Sequence, residues 1–194
     1  MAHLEGTPEV APAVKRRQLE HLIRAAADIS DDDEIIVIGS QSILGKYPDA
    51  PDELCVSMEA DVYPRNHPER WELIDGSLGE LSPFHDTFGY YAQGVEEGTA
   101  TLPRGWQDRL VPIKNENTRG AVGLCLEPHD LLIAKYVASR EKDRRFIVGA
   151  IRHGLADRSI LLERLVETPL EELAAARILA LIETDFGRAA SGER

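Results

Sequence analysis

The chain has 194 residues, of which 43% are hydrophobic and 29% are charged, and these values suit one compact domain or a domain with a small appendage. With 22 Lys and Arg residues against 34 Asp and Glu residues, the formal net charge is −12, which disfavours general binding to nucleic acid or to anionic membranes. The two cysteines, Cys55 and Cys125, exclude a disulfide scaffold and an all-cysteine zinc site. No signal peptide or membrane-length apolar run is recognisable, so we expect a soluble, cytoplasmic protein without membrane contact.

The predicted elements follow residues 1–14, which have two prolines and no apolar periodicity and are expected to form a flexible arm. Apolar spacings of three and four predict an amphipathic helix over 15–28. The β-branched run 34–38 predicts a strand, followed by a Gly-Ser turn and a helix start at 41–44. Further along, the patterns predict a strand over 53–63, a helix over 68–81, a hairpin of 88–91 with 99–102, strands over 109–113 and 121–126, and helices over 128–153 and 158–187.

The fold class follows from the order of these elements. Strands lie mostly in the first two thirds of the chain and helices at the end, which favours an α+β fold with a mixed sheet flanked by helices. We expect two packed parts, an α/β core over 15–126 and C-terminal helices over 127–190.

Gly39 and Ser40 lie directly between a predicted strand and a predicted helix. Backbone N–H groups at such a turn, with a helix N-terminus and a serine hydroxyl, can bind an anionic phosphate. The Gly-Lys-Ser/Thr ending of a P-loop is absent. The pair is therefore a candidate phosphate-binding turn, with a purely structural turn as the alternative.

Glu59 and Asp61 lie one residue apart in the predicted strand over 53–63. Strand periodicity places both carboxylates on one face, near the end of the strand, where two close oxygen ligands can hold Mg²⁺ and nucleotide phosphates. Such a metal clamp stabilises the attacking and leaving oxygens in phosphoryl or nucleotidyl transfer. The alternative is a pair of solvated acids on a strand that faces water, and the apolar neighbours Ala60 and Val62 favour the metal site.

A third group of polar residues lies on the predicted helix over 128–153. Lys135 is embedded in apolar sequence, where an ammonium group either reaches the surface or points at a phosphate. At about 100° per residue, Lys142 lies about 20° and Asp143 about 80° from Lys135 around the helix axis, so the three share one flank. Alternatively, residues 140–145 form a solvated helix face with i,i+4 ion pairs.

Basic residues are concentrated in this part of the chain. Residues 129–158 contain seven Lys or Arg residues and four Asp or Glu residues. This segment has a positive excess although the rest of the chain is acidic. We therefore expect an anionic substrate to bind to the basic stripe formed by residues 129–158.

Taken in chain order, these groups resemble a known family. The resemblance is carried by Gly39-Ser40, by Glu59-x-Asp61 on the next strand, and by a later helix with Lys135 and Arg140-Glu141-Lys142-Asp143. This order resembles the nucleotidyltransferase superfamily with a DNA-polymerase-beta-like palm. More closely, the chain is similar to the small bacterial nucleotidyltransferases called the DUF6036 family, related to the toxins of abortive-infection-type toxin–antitoxin systems. The resemblance spans about residues 34–157.

The resemblance implies a role for each matching residue. The implied catalytic residues are Glu59, Asp61, Lys135 and Asp143; the implied nucleotide-binding residues are Gly39, Ser40, Lys135 and Arg140; and the implied Mg²⁺ ligands are Glu59 and Asp61. Two features depart from the family pattern. Glu59 stands where the family usually has aspartate, and 18 residues separate Ser40 from Glu59, which is longer than in minimal members of the superfamily.

By the same resemblance, the expected function is Mg²⁺-dependent transfer of a nucleoside monophosphate from an NTP to an acceptor hydroxyl, with release of pyrophosphate. The implied acceptor is the 3′ end of tRNA, which makes the chain a growth-inhibiting toxin with a cognate antitoxin protein as partner. One alternative is transfer to a small aminoglycoside-like acceptor, whose positive charge suits an acidic protein. The other is a catalytically silent nucleotide-binding or interaction domain, to which the glutamate at position 59 points.

Overall fold

The structure is a computed structural model, and it describes residues 14–192. The predicted arm over 1–14 lies outside the described residues except for its last residue. Val14 is fully buried, and its backbone N–H donates to the Ser57 carbonyl oxygen at 3.0 Å. Val14 therefore belongs to the folded part of the chain.

Five strands and eight α-helices lie within the described residues. The strands are β1 (Glu34–Val37), β2 (Glu59–Pro64), β3 (Tyr91–Gly94), β4 (Val111–Ile113) and β5 (Val122–Cys125). The helices are α1 (Arg16–Ser30), α2 (Ile43–Lys46), α3 (Trp71–Leu78), α4 (Pro83–Phe88), α5 (Pro128–Ala138), α6 (Glu141–Arg152), α7 (Arg158–Glu167) and α8 (Glu172–Ser191).

The strands form one mixed sheet in the order β3-β2-β1-β5-β4. The central strand β1 runs antiparallel to β2 and parallel to β5. The outer strand β3 runs parallel to β2, and β4 runs antiparallel to β5. The mixed sheet with flanking helices confirms the α+β class, while the division into a core and a C-terminal helical part stays a prediction.

The hydrophobic core lies between the sheet and its helices. Leu19, Leu22 and Ile23 on α1 are fully buried, as are Ile35 and Val37 on β1. Helices α1 and α3 pack on each other and on the sheet, whereas α5 packs on α6 and α7, and α8 packs on α6 and α7. No helix within residues 14–192 is long and apolar enough to cross a membrane.

Two groups of buried charges fix helix α5 to its neighbours. At its N-terminal end, the Arg109 guanidinium donates two hydrogen bonds, at 2.9 and 3.0 Å, to the fully buried Asp130 carboxylate. At its C-terminal end, Tyr136 donates to Asp185 at 2.9 Å, and Arg144 of α6 binds the same carboxylate at 2.7 and 2.8 Å. These bonds hold α5, α6 and α8 in one arrangement.

Most of the periodic patterns predict the right elements. The helix predicted over 15–28 is confirmed as α1, and the strands predicted over 34–38, 109–113 and 121–126 are confirmed as β1, β4 and β5. The helix start predicted at 41–44 is confirmed by a 3-10 turn followed by α2.

Two predicted elements are too long. The strand predicted over 53–63 begins only at Glu59, because Asp52–Leu54 forms a 3-10 turn. The two acids therefore lie at the start of β2, and the prediction that they lie near its end is wrong. The helix predicted over 68–81 ends at Leu78 in α3, where the Gly79 N–H closes the last turn by donating to Asp75.

The hairpin predicted for 88–91 with 99–102 is wrong. Ser82 accepts a hydrogen bond from the His85 backbone N–H, and Pro83 occupies the first helical position, so this segment forms α4. The following residues form β3, which pairs in parallel with β2, and 99–102 are not in a strand. The sequence signal for α4 is Ser82-Pro83, a typical helix start, and the aromatic run 88–91 that predicts a strand overlaps the end of this helix.

Each of the two long helices predicted in the C-terminal part is two helices. The helix predicted over 128–153 is interrupted at Ser139, which adopts the left-handed conformation with φ 54° and ends α5. Its hydroxyl accepts a hydrogen bond from Arg177 of α8 at 3.0 Å. The helix predicted over 158–187 is interrupted between Glu167 and Glu172, where Pro169 lies, and the second helix continues through Gly187 to Ser191.

The left-handed conformation of Ser139 predicts how substitutions there affect stability. Ser139→Val places a β-branched residue at positive φ and is expected to lower the free energy of unfolding by about 1–2 kcal/mol relative to Ser139→Gly. Urea unfolding of the two variants measures the difference. Equal stability of the Val and Gly variants would contradict the conformation described for the break.

Candidate functional site

The candidate site is a cleft of about 390 Å³ where the turn after β1, the start of β2, the end of β3, and helices α5 and α6 meet. A cleft of this size is within the usual range for small-molecule sites. Every residue to which the sequence assigns a role lines it: Gly39, Ser40, Glu59, Asp61, Lys135, Arg140 and Asp143. Residues up to 104 positions apart in the chain thus meet in one place.

Gly39 lies in contact with the acidic strand. A Cβ atom at this position would lie 2.0 Å from Asp61 Oδ2, which is closer than any real contact. The backbone of the turn therefore approaches the Asp61 carboxylate in a way that only glycine allows. Ser40 follows at the start of the 3-10 turn that leads into α2.

Glu59 and Asp61 both point into the cleft, as strand periodicity predicts. Each has a neighbour on β3, since Glu59 pairs in register with Tyr91 and Asp61 with Gln93. Tyr91 donates a hydrogen bond to Glu59 Oε2 at 3.0 Å, and Lys142 Nζ lies 3.4 Å from Glu59 Oε1. Glu59 is therefore held from two sides.

The Asp61 carboxylate has a different environment. Among residues 14–192, no hydrogen bond or ion pair reaches it. Burial, together with the negative charge of Glu59, raises the pKa of Asp61, while Lys142, Lys135 and Arg140 oppose that rise. Asp61 is half-buried, and a carboxylate partly withdrawn from water without a direct partner is destabilising unless a cation binds there.

The two acids fit a magnesium ion that arrives with a nucleotide. Carboxylate oxygens are the ligands Mg²⁺ prefers, and it is commonly held by one or two carboxylates together with substrate phosphates and water. Within residues 14–192, no group of three or more His, Cys, Asp or Glu side chains is arranged to hold a metal. The donor set therefore suits a metal shared with phosphates better than a permanently bound structural ion.

Lys135 connects the turn after β1 to helix α6. Its ammonium donates to Ser40 Oγ at 2.8 Å and to Asp143 Oδ1 at 3.0 Å, and it lies 4.4 Å from the centre of the Phe146 ring. Burial lowers the pKa of Lys135, and Asp143 acts in the opposite direction. Arg140 Nε donates to the other oxygen of Asp143 at 2.7 Å.

Asp143 is fully buried between these two cations. Although burial acts to raise it, the pKa of Asp143 is lowered by the hydrogen bond from Arg140 and by the charge of Lys135. Asp143 therefore stays ionised and fixes the positions of Lys135 and Arg140. Their charges are directed toward the space beside Ser40, where a phosphate can bind.

Part of the cleft lining is apolar. It comes from the 95–101 loop and from α5, with Val95, Ala100, Leu131 and Ala134 among its residues. An apolar slot beside a charged end suits a molecule with a flat, weakly polar part and an anionic part.

Three residues next to the acids lie outside the site that the sequence predicts: Gln93 and Lys142, which line the cleft, and Tyr91, which contacts Glu59. Tyr91 and Gln93 belong to β3, and their register with the acids appears only in the sheet. The sequence predicts that Lys142 shares a flank with Lys135 but predicts no role for it. Its contact with Glu59 depends on the break between α5 and α6, which no glycine or proline marks.

Comparison with known proteins identifies the family. A family model described as a nucleotidyltransferase of unknown function, DUF6036, matches residues 17–177. This match spans the whole sheet, the cleft and helices α1 to α7. No curated protein and no solved structure matches the chain.

Substitution of Gly39 tests the close approach of the turn to Asp61. Gly39→Ala forces the Asp61 carboxylate or the turn to move, so we expect binding of Mn²⁺ with a nucleotide to weaken by about tenfold or more, measured by titration calorimetry. Gly76→Ala is the matched control, because its Cβ would meet no atom within 4 Å. Gly76→Ala should bind Mn²⁺ and nucleotide as the wild type does, and its free energy of unfolding should rise by about 0.5–1 kcal/mol, because alanine favours the helical conformation of α3 more than glycine does. Unchanged binding by Gly39→Ala would contradict the geometry.

Substitution of Asp143 tests the buried charge cluster. Asp143→Asn leaves Lys135 buried without its counter-ion and is expected to lower the free energy of unfolding by about 3–5 kcal/mol at neutral pH. Because the pKa of Asp143 is lowered on folding, its stabilisation is present above the ordinary aspartate pKa of 3.8 and is lost as the pH falls through the lowered value. The difference in free energy of unfolding between Asp143→Asn and the wild type should therefore become smaller below pH 3.8.

Urea unfolding over a pH series measures this difference. Asp28→Asn, at an exposed position on α1, controls for the loss of one charge. If the loss in free energy of unfolding caused by Asp143→Asn stays the same below pH 3.8, the ionised aspartate does not stabilise the cluster.

Proposed function

Because the chain belongs to the DUF6036 family of nucleotidyltransferases, we propose that it transfers a nucleoside monophosphate from an NTP to an acceptor hydroxyl. The observation that carries the proposal is the arrangement in one cleft of two carboxylates, a Gly-Ser turn and a buried lysine. Two acids together with the cations Lys135 and Arg140 in one cleft suit a triphosphate with its metal ion. The apolar part of the lining suits the nucleoside.

The reaction we propose is a single displacement at the α-phosphorus of the NTP. The acceptor hydroxyl oxygen forms a bond to this phosphorus, and the bond from the phosphorus to the oxygen that bridges to the β-phosphate breaks. Pyrophosphate leaves with that electron pair, and the hydroxyl proton is released to solvent. The products are the nucleotidylated acceptor and pyrophosphate.

The protein's part in this reaction is positioning and charge stabilisation. Ser40 and the turn at Gly39 bind phosphate oxygens, and Lys135 and Arg140 balance the charge on the departing pyrophosphate. Asp143 acts as a positioning residue, because its two carboxylate oxygens are paired with Lys135 and Arg140. Mg²⁺ held by Glu59 and Asp61 would supply Lewis-acid polarisation of the phosphate.

For the acceptor, we propose the 3′ end of tRNA, and with it the role of a growth-inhibiting toxin neutralised by an antitoxin protein. The resemblance of the motifs to the abortive-infection-type toxins supports this choice, as does the local excess of basic residues in 129–158. The cytoplasm is the compartment where such an acceptor occurs.

The proposed activity is tested with each of four α-labelled NTPs, Mg²⁺ and total tRNA. Transfer of label to RNA is expected with the wild type and is expected to fall by at least a hundredfold in Glu59→Ala/Asp61→Ala, because both metal ligands are lost. Asp28→Ala/Glu163→Ala removes the same charge at two exposed positions away from the cleft and should keep full activity.

The outcomes separate the competing functions. Label in RNA that the double variant abolishes supports the tRNA acceptor. Label that appears only in a small cationic compound would replace the tRNA acceptor with an aminoglycoside-like one. Absence of label and of pyrophosphate release with every NTP, alongside measurable NTP binding, would overturn the enzyme and leave a nucleotide-binding domain.

A further inference from the structure

A second groove opens beside the cleft. Its volume is about 620 Å³, and it lies between α6 and the segment that precedes β2. Ser40, Ser57 and Lys142 line both the groove and the cleft. A molecule bound in the groove therefore lies next to the place where the two acids and the phosphate-binding turn meet.

The groove has a charge opposite to that of the whole chain. Lys142, Arg144, Arg145 and Arg152 line it, and Glu53 is its only acidic lining residue within the described part of the chain. The chain as a whole carries a net charge of −12. A basic groove on such an acidic protein concentrates an anionic ligand at one place.

The four cations differ in how firmly they are held. Arg144 is fixed by two hydrogen bonds to Asp185, whereas Arg145 pairs with Glu141 and Arg152 with Glu53 in exposed ion pairs. Exposed pairs of this kind contribute little free energy, so an incoming phosphate can replace the carboxylate partner at small cost. Arg145 and Arg152 are thus available to an anionic ligand.

The groove also presents apolar surface. Val56 is 69% exposed and Val148 is 39% exposed, and both line the groove together with the buried Leu54. The groove thus combines exposed aliphatic side chains with guanidinium groups. This combination suits a ligand that has both an apolar part and phosphate groups.

We propose that this groove binds the acceptor, and that the acceptor is a hydroxyl compound that carries phosphate. This inference rests on the proposed nucleotidyl transfer. The phosphate of the acceptor binds Arg145 and Arg152, and its hydroxyl extends past Ser57 and Lys142 to the α-phosphate of the nucleotide. A cationic acceptor would be repelled by the same side chains.

Charge reversal in the groove tests the inference. Arg145→Glu/Arg152→Glu changes two exposed side chains that do not line the cleft. Arg17→Glu/Lys114→Glu makes the same change in charge at two exposed positions outside the cleft and the groove. The wild type and both variants are incubated with α-labelled NTPs, Mg²⁺ and a cell extract that contains both RNA and small molecules, and NTP binding is measured separately by calorimetry.

The expected result is a loss of label transfer of about tenfold or more in the groove variant at subsaturating acceptor, because charge-assisted bonds to phosphate are lost. Its NTP affinity and the activity of the control variant should stay within about twofold of the wild type. Alkaline phosphatase treatment of the extract should remove the acceptor if it is a small phosphate monoester, and nuclease treatment should remove it if it is RNA.

Other outcomes overturn the inference in distinguishable ways. Label transfer that is unaffected by groove charge reversal, or that survives both phosphatase and nuclease treatment, refutes the phosphate-bearing acceptor while leaving nucleotidyl transfer intact. Weakened NTP binding by the groove variant would show that the groove holds the triphosphate instead. Absence of label and of pyrophosphate release by the wild type refutes the proposed function and this inference with it.

Discussion

The contact between Lys135 and Asp143 is the interaction on which the cleft depends. In one continuous helix, these residues would lie on the same flank but about 12 Å apart along the axis, so their charged groups could not come within hydrogen-bond distance. The left-handed residue Ser139 ends α5 and redirects the chain, which brings the two charged groups to 3.0 Å. Burial of the lysine is tolerated because Ser40, Asp143 and the Phe146 ring all contact its ammonium. The same contacts fix α6 to the turn that follows β1.

The position of α6 then determines two surfaces at once. The first turn of this helix places Lys142 at the cleft, beside Glu59, and the following turns place Arg145 and Arg152 along the adjoining groove. Arg144 also lines this groove, but its guanidinium is bound to Asp185, which in turn accepts a hydrogen bond from Tyr136, and these bonds fix α6 to α5 and α8. The basic residues of 129–158 are therefore not one continuous stripe. They are divided among a buried cluster, the cleft, the groove and ion pairs between helices.

The parts of the site that the sequence predicts are those set by local periodicity. The run 34–38 with its Gly-Ser turn, and the two-residue spacing of Glu59 and Asp61, determine geometry within a few residues, and both are found as expected. The remaining geometry depends on distant partners. Arg177 contacts Ser139 from another helix, and no local signal marks the break. Likewise, Tyr91 reaches Glu59 only because β3 pairs in parallel with β2. The local sequence pattern predicts a hairpin with 99–102 instead and gives no sign of this distant partner.

The glutamate at position 59 is held in place by its neighbours. Its longer side chain gives the carboxylate more freedom than an aspartate has, and ordering it costs conformational entropy. The Tyr91 hydroxyl and the Lys142 ammonium each contact one of its two oxygens, at 3.0 and 3.4 Å, and so restrict it. Asp61 has no such partner within residues 14–192, which leaves its oxygens open toward the cleft. For the proposed nucleotidyl transfer, this asymmetry means that a metal ion would meet one open carboxylate and one that it shares with Lys142. A triphosphate in the cleft would offer Lys142 a stronger anionic partner than Glu59, which would free the second carboxylate for the metal. Metal and nucleotide binding would then be coupled through the exposed side chain of Lys142, which lines both the cleft and the groove.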